Sequence, residues 1–218
     1  VTEEGPTEEA EDREAALEKA RVLFAQACTF IASAPTLESI PDGTLPEVAF
    51  VGRSNVGKSR LVNALTGRTT LARVSNTPGR TRALNFFDLG GRLMLADLPG
   101  YGFAKVSKTE SQQWNELILA YLRGRPLLRR AVLLIDARRG LMPADVEVMS
   151  LMDRAALSYQ IVLTKADKLS ATELTKVHKA VHDGSLRHPA AHPEILVTSS
   201  QTGQGIPELR AALAEFAE

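Results

Sequence analysis

A single cysteine, Cys28, stands in a chain of 218 residues. One thiol can neither close an internal disulfide nor build a thiolate zinc cluster, and Cys28 is expected to pack as a small apolar residue. Net charge is missing as well: 26 basic and 26 acidic residues cancel, which leaves no global field pointing to nucleic acid. No stretch approaches the roughly 18 apolar residues that a membrane span needs. The N-terminus is acidic where a secretion signal would be basic, so a cytoplasmic location with no membrane partner is expected. No internal repeat is visible, and nothing reads as a coiled coil or swapped strand, so a monomer is expected. His178, His182, His188 and His192 lie close in sequence, but no cysteine or glutamate pair completes a metal site, and they are expected to be solvated.

Charge is unevenly spread. Residues 1–14 hold seven acids against one base, with no aromatic or large aliphatic residue after Val1. Such a composition cannot offset its ordering entropy and predicts a disordered acidic tail. The remainder is net basic and long enough for one α/β domain with a sizeable core. In residues 15–46, Leu17, Leu23, Phe24, Ala27, Phe30 and Ile31 fall near helical spacing. They predict an amphipathic helix over 15–33 lying on the domain. Pro35, Pro41, Gly43 and Pro46 predict an irregular connector into it.

Residues 47–218 are organised around one stretch. The apolar run Val48-Ala-Phe-Val51 is cut by Gly52 and passes through Gly57-Lys-Ser59 into helical spacing, which is the strand, glycine-rich loop and helix of a phosphate cradle. Gly52 and Gly57 let successive N–H groups of Arg53, Ser54, Asn55 and Val56 converge on phosphate, and the following helix adds its positive end. Lys58 would reach the β- and γ-phosphates, and the Ser59 hydroxyl would ligate Mg2+ between them. The pattern alone does not separate ATP from GTP.

Further apolar runs predict strands at 84–89, 92–97, 131–136, 159–164 and 194–200, with helices between them. Gly90-Gly91 predicts a hairpin. Together these give an α/β fold of three layers, a mostly parallel six-stranded sheet with one antiparallel edge strand and helices on both faces. Asp97-Leu98-Pro99-Gly100 leaves the sheet at the carboxyl ends of the strands, where a carboxylate can hold Mg2+ through water and the Gly100 N–H can meet a γ-phosphate. Thr164-Lys165-Ala166-Asp167 ends another buried strand. Guanine presents N1–H and an exocyclic amine on one edge, and a carboxylate accepts both, so Asp167 is the candidate guanine reader. The Lys165 stem can lie along the base, and the backbone at Thr198, Ser199 and Ser200 can meet guanine O6.

The ordered set resembles the five guanine-nucleotide motifs of translation-factor-class GTPases. The finer text, Gly52-Arg-Ser-Asn-Val-Gly-Lys-Ser59 with Asn76-Thr-Pro-Gly-Arg-Thr81 and Asp97-Leu-Pro-Gly-Tyr-Gly102, resembles the YihA/EngB/YsxC family of bacterial GTPases over about residues 20–217. The resemblance implies a GTPase with Mg2+ on Ser59 and Thr81. It implies nucleotide contacts from Gly79, Arg80, Thr81, Arg82 and Ala83, and catalytic roles for Lys58, Thr81 and Gly100. It also implies a role in assembly of the large ribosomal subunit and in normal division and septation. Two positions depart from the wider class. Thr164 stands where most GTPases carry Asn, and Tyr101 stands where Ras-like enzymes carry a water-orienting Gln. Intrinsic hydrolysis is therefore expected to be slow until a K+ ion beside Asn55, or Arg80 or Arg82, completes the site. Arg73, Arg80, Arg82, Lys105, Lys108, Arg129, Arg130, Arg138 and Arg139 make a candidate ribosomal RNA surface. The alternatives are an ATP-dependent kinase on the same phosphate loop and a nucleotide-dependent scaffold without turnover.

Overall fold

The computed structural model of the chain describes residues 8–69, 71, 83–101 and 108–217, the last range from residue 116 onward for side chains. Helix α1 (Glu8–Phe24) and strand β1 (Cys28–Ala34) lead into β2 (Glu47–Gly52), α2 (Lys58–Thr66), β3 (Leu84–Leu89) and β4 (Leu93–Asp97). Then come α3 (Lys108–Gly124), β5 (Leu128–Asp136), α4 (Pro143–Arg154), β6 (Tyr159–Thr164), α5 (Ala171–Ser185), β7 (Ala191–Val197) and α6 (Ile206–Ala214). The strands make one sheet in the order β1-β3-β4-β2-β5-β6-β7.

Every residue of β2 is buried, and alternate side chains serve opposite faces. Ala49 and Val51 pack with Ile118 and Tyr121 of α3, Met149 of α4 and Val181 of α5. Val48 and Phe50 pack with Leu23 of α1, Leu61 and Leu65 of α2, and Leu209 of α6. A strand covered on both sides has no polar face to present, so β2, β5 and β6 read as near-continuous apolar runs. The result is the three-layer α/β arrangement expected from the sequence.

The N-terminal region differs from expectation. Residues 8–14, read as part of a disordered tail, belong to α1: Glu8, Glu9 and Glu11 sit in its first turn, where acids favour the positive helix end. Arg13 also lies 3.7 Å from Glu208 of α6. Residues 1–7 lie outside the described residues. The helix predicted over 15–33 stops at Phe24, and Cys28–Ala34 is a strand. β1 pairs antiparallel with β3, and Phe30 meets Phe87 edge to face at 5.7 Å. Cross-strand pairing of Thr29 with Asp88 and Phe30 with Phe87, residue types suited to strands, overrides a helical spacing shared by chance; Ile31 sits at a register shift.

The sheet therefore has seven strands rather than six. The antiparallel strand is not at the edge: β3 runs against both β1 and β4, and β1 closes that side. Gly184 lies within α5, and a Cβ there would sit 2.7 Å from Leu141 Cδ2, so it serves close packing. Strands β4, β2, β5, β6 and β7 run parallel, which brings Asp97, Gly52, Asp136, Thr164 and Val197 to one rim of the sheet. Ligands of open α/β sheets bind along this rim.

Candidate nucleotide-binding site

The loop after β2 turns through Asn55 (φ 63°) and Gly57 (φ 108°) into α2, which begins at Lys58. Val56 is buried, Asn55 is exposed, and Arg53, Ser54, Lys58 and Ser59 are half-buried. The first N–H groups of α2 have no partner within the helix, so the loop presents donors and a positive helix end together. The loop is also fastened to the segment after β4. Ser54 N–H donates to the Tyr101 carbonyl at 2.9 Å, and Tyr101 N–H donates to Gly52 at 3.3 Å. Gly100 sits so close that a Cβ would lie 3.0 Å from Ser54 Oγ and 3.1 Å from Ser54 Cα. Leu98 is buried, and its N–H donates to Phe50 at 3.1 Å.

Lys58 Nζ donates to Asp97 Oδ1, so the loop lysine and the β4 carboxylate neutralise each other. Ser59 follows Lys58 on the first turn of α2, and Ala83 precedes β3. Gly79, Arg80, Thr81 and Arg82 lie outside the described residues.

At the other end of the site, Thr164 Oγ donates to the Val56 carbonyl at 2.7 Å. This buried bond ties the start of the base-reading segment to the phosphate loop. Lys165, in the left-handed region at φ 61°, donates to the Asn55 carbonyl at 2.7 Å and to Asp136 Oδ2 at 2.9 Å. Asp167 accepts from Ser199 Oγ at 2.7 Å and pairs with Lys168 at 3.0 Å. These contacts hold its carboxyl below the ordinary aspartate value, so it is an acceptor at neutral pH. Ser199 Oγ in turn accepts from the N–H groups of Gln201 and Thr202, both at 3.2 Å. Ala166 N–H donates to the Thr198 carbonyl at 3.1 Å, and Ser200 follows in the same turn. Among the described residues, the structure places Lys58 and Asp97 in one pair and Thr164, Lys165, Asp167 and Ser199 in a bonded set that reaches the Val56 and Asn55 carbonyls.

Tyr101 is turned into the protein. It is buried among the residues that face α3 and α4, and its hydroxyl donates to Asp145 Oδ1 at 2.7 Å. Burial, and then the neighbouring Asp145 charge, push its ionisation far above the ordinary tyrosine range. Burial raises the Asp145 pKa too.

The candidate RNA surface does not form one patch among the described residues. Arg129 and Arg130 begin β5, whereas Arg138 and Arg139 follow its far end, about 30 Å away along an extended strand. Arg130 is half-buried with its guanidinium 4.7 Å from the Phe216 ring centroid, and Arg138 is committed to Asp136. Arg73, Arg80, Arg82 and Lys105, and the side chain of Lys108, lie outside the described residues.

Sequence reasoning missed Asp136. It ends β5 as Asp97 ends β4, and a carboxylate terminating a wholly apolar run at that rim was the available signal.

A family model described as a 50S ribosome-binding GTPase matches residues 47–165, and one described as the elongation factor Tu GTP-binding domain matches residues 121–218. A probable GTP-binding protein EngB of Rhodospirillum rubrum is 57% identical over 212 residues, covering 95% of this chain and 92% of that protein. The chain belongs to the EngB family. Another relative of that name, from Hyphomonas neptunium, is 55% identical over 207 residues and is covered to 94%, as is this chain. EngB membership agrees with the fold. The crystal structure of a probable GTP-binding protein EngB superposes with a TM-score of 0.61 at 24% identity, covering 78% of this chain and 97% of that one. Era in complex with MgGDPNP and a segment of 16S ribosomal RNA superposes with a TM-score of 0.62 at 25% identity, covering 81% of this chain and 58% of that one.

Proposed function

We propose that this EngB-family protein is a guanine-nucleotide switch that binds GTP and GDP, hydrolyses GTP slowly, and acts in assembly of the large ribosomal subunit, with consequences for division and septation. The observation that carries the reading is Asp167, held as an ionised acceptor by Ser199 and Lys168 at the same rim as the Lys58 loop. A carboxylate there matches the paired donors of guanine and finds no such pair on adenine. This favours the switch over the ATP-dependent kinase. GTPase family membership supports hydrolysis.

The Mg2+ requirement fits the residues present. The Lys58–Asp97 pair places the β4 carboxylate beside the start of α2, where the Ser59 hydroxyl stands, and hard oxygen donors suit that ion. Ser59, Thr81 and, through water, Asp97 would hold it, and it would supply charge neutralisation on the β- and γ-phosphates. Binding then requires Lys58 to exchange Asp97 for phosphate oxygens. The Gly100 N–H turns to the γ-phosphate, so both loops are ordered with GTP and released after hydrolysis. Tyr101, engaged with Asp145, leaves no side chain at that position to orient the attacking water. This supports a slow intrinsic rate, raised by a K+ ion at Asn55 or by Arg80 or Arg82.

The ribosomal reading is supported by the description of the matching family model and by the RNA held in the Era complex. The protein would work in the cytoplasm as a monomer; among the described residues no helix is long and apolar enough to cross a membrane. α1 with β1 would be an extension packed on the nucleotide-binding domain. Phosphate release is the test, measured with and without large ribosomal subunits in potassium and in sodium buffers. Stimulation by subunits supports the reading. GTP binding without stimulated release would leave the scaffold alternative, and equal turnover in both salts would remove the K+ role.

A further inference from the structure

Lys165 contributes its aliphatic stem to the base site only if its ammonium is held at a distance. Its Nζ is fixed between two acceptors on different elements, the Asn55 carbonyl of the phosphate loop at 2.7 Å and Asp136 Oδ2 at the end of β5 at 2.9 Å. The stretched stem passes over Gly57, where a Cβ would lie 3.6 Å from Lys165 Cε.

Asp136 is more than a chance neighbour. Its carboxylate accepts from Lys165 Nζ, from Arg138 Nε at 2.9 Å and Nη2 at 2.7 Å, and from the Arg138 backbone N–H at 3.1 Å. It is 8% exposed. A carboxylate this well bonded has one orientation, so it fixes where the Lys165 ammonium sits.

We infer that Asp136, clamped by Arg138, is the positioning residue that stretches Lys165 into a platform spanning the phosphate loop and the guanine. This rests on the guanine-nucleotide reading. Asp136 touches no ligand; it acts through Lys165. The platform supports the face of the base, so its loss weakens guanine and hypoxanthine nucleotides alike, whereas Asp167 reads the edge that distinguishes them.

The test is a set of titrations of the full chain with GDP and IDP, each variant checked for a wild-type-like melting transition. Asp136→Asn should weaken both nucleotides by about tenfold, and the double variant Asp136→Asn/Lys165→Ala should bind no worse than Lys165→Ala alone, the signature of one coupled unit. Lys165→Met keeps the stem length and loses the anchor; it should weaken GDP by a similar factor, and it gives a reading even where Asp136→Asn does not fold. Additive losses in the double variant, wild-type binding by Lys165→Met, or a loss for GDP but not IDP would each overturn the inference while leaving wild-type GDP binding intact. A wild-type chain that binds no GDP would overturn the functional reading itself and this inference with it.

Discussion

The Thr164 hydroxyl does by a buried bond to the phosphate loop what its position alone does not reveal. It donates to the Val56 carbonyl at 2.7 Å, and the residue is 3% exposed. Thr164→Val keeps the shape and strands that carbonyl, so it should cost about 1–3 kcal/mol of stability. Urea unfolding of the two proteins checks this; coincident curves would refute the tether. Asp136 sets a pH dependence at the same scale. Burial alone would raise its pKa, but hydrogen bonds from Arg138 and Lys165 outweigh burial and lower it from 3.8 to about 2. The folded value is the lower one, so the contribution of Asp136 to stability is complete above about pH 5 and is lost as pH falls toward 2. Wild type should exceed Asp136→Asn in unfolding free energy at pH 6, with the gap narrowing at pH 4 and again at pH 3. A gap independent of pH would contradict the ion-pair account.

At the scale of elements, α6 starts from Gly205, which has φ 68° and stands so close to β7 that a Cβ would lie 2.0 Å from the Val197 carbonyl oxygen. Gly205→Ala forces that backbone apart in addition to the left-handed strain of about 1–2 kcal/mol. Thermal unfolding should show a loss exceeding the strain alone. Nucleotide affinity should fall with it, since Ser199, which orients Asp167, is anchored on Gln204, the residue before Gly205: Ser199 N–H donates to the Gln204 carbonyl at 3.0 Å. Unchanged melting would show that the turn can shift freely. The strands β2, β5 and β6 were legible in the sequence because burial on both faces leaves an uninterrupted apolar run. The segment 28–34 was not: Phe30 and Ile31 satisfy helical spacing with α1, and only pairing with β3, more than 50 residues later, decides for a strand. The same limit hid Asp136, whose role depends on Lys165, a residue on the neighbouring strand's exit.

At the scale of the whole molecule, five parallel strands deliver the phosphate loop, Asp97, Asp136, Lys165 and the Ser199 turn to one rim, where hydrogen bonds tie Lys58 to Asp97, Thr164 to the phosphate loop, Lys165 to Asp136 and Ser199 to Asp167. Phosphate-end and base-end motifs were both legible because each needs particular residue types at short spacing. Their mutual fastening was not, because it runs through backbone carbonyls that carry no sequence signal. A site built this way should stabilise the whole fold on binding. GDP at 100 times its dissociation constant should add about 2.7 kcal/mol. The most direct test of the central claim, that Asp167 makes this a guanine-nucleotide site, is calorimetric titration of wild type and Asp167→Asn with GDP, ADP and XDP. Xanthine carries a carbonyl where guanine carries its amine, and an Asn amide can donate to it. Selection of GDP over ADP by wild type, with preference moved to XDP in Asp167→Asn, is the predicted result. Equal binding of GDP and ADP by wild type, or unchanged selection of GDP by the variant, would contradict the account.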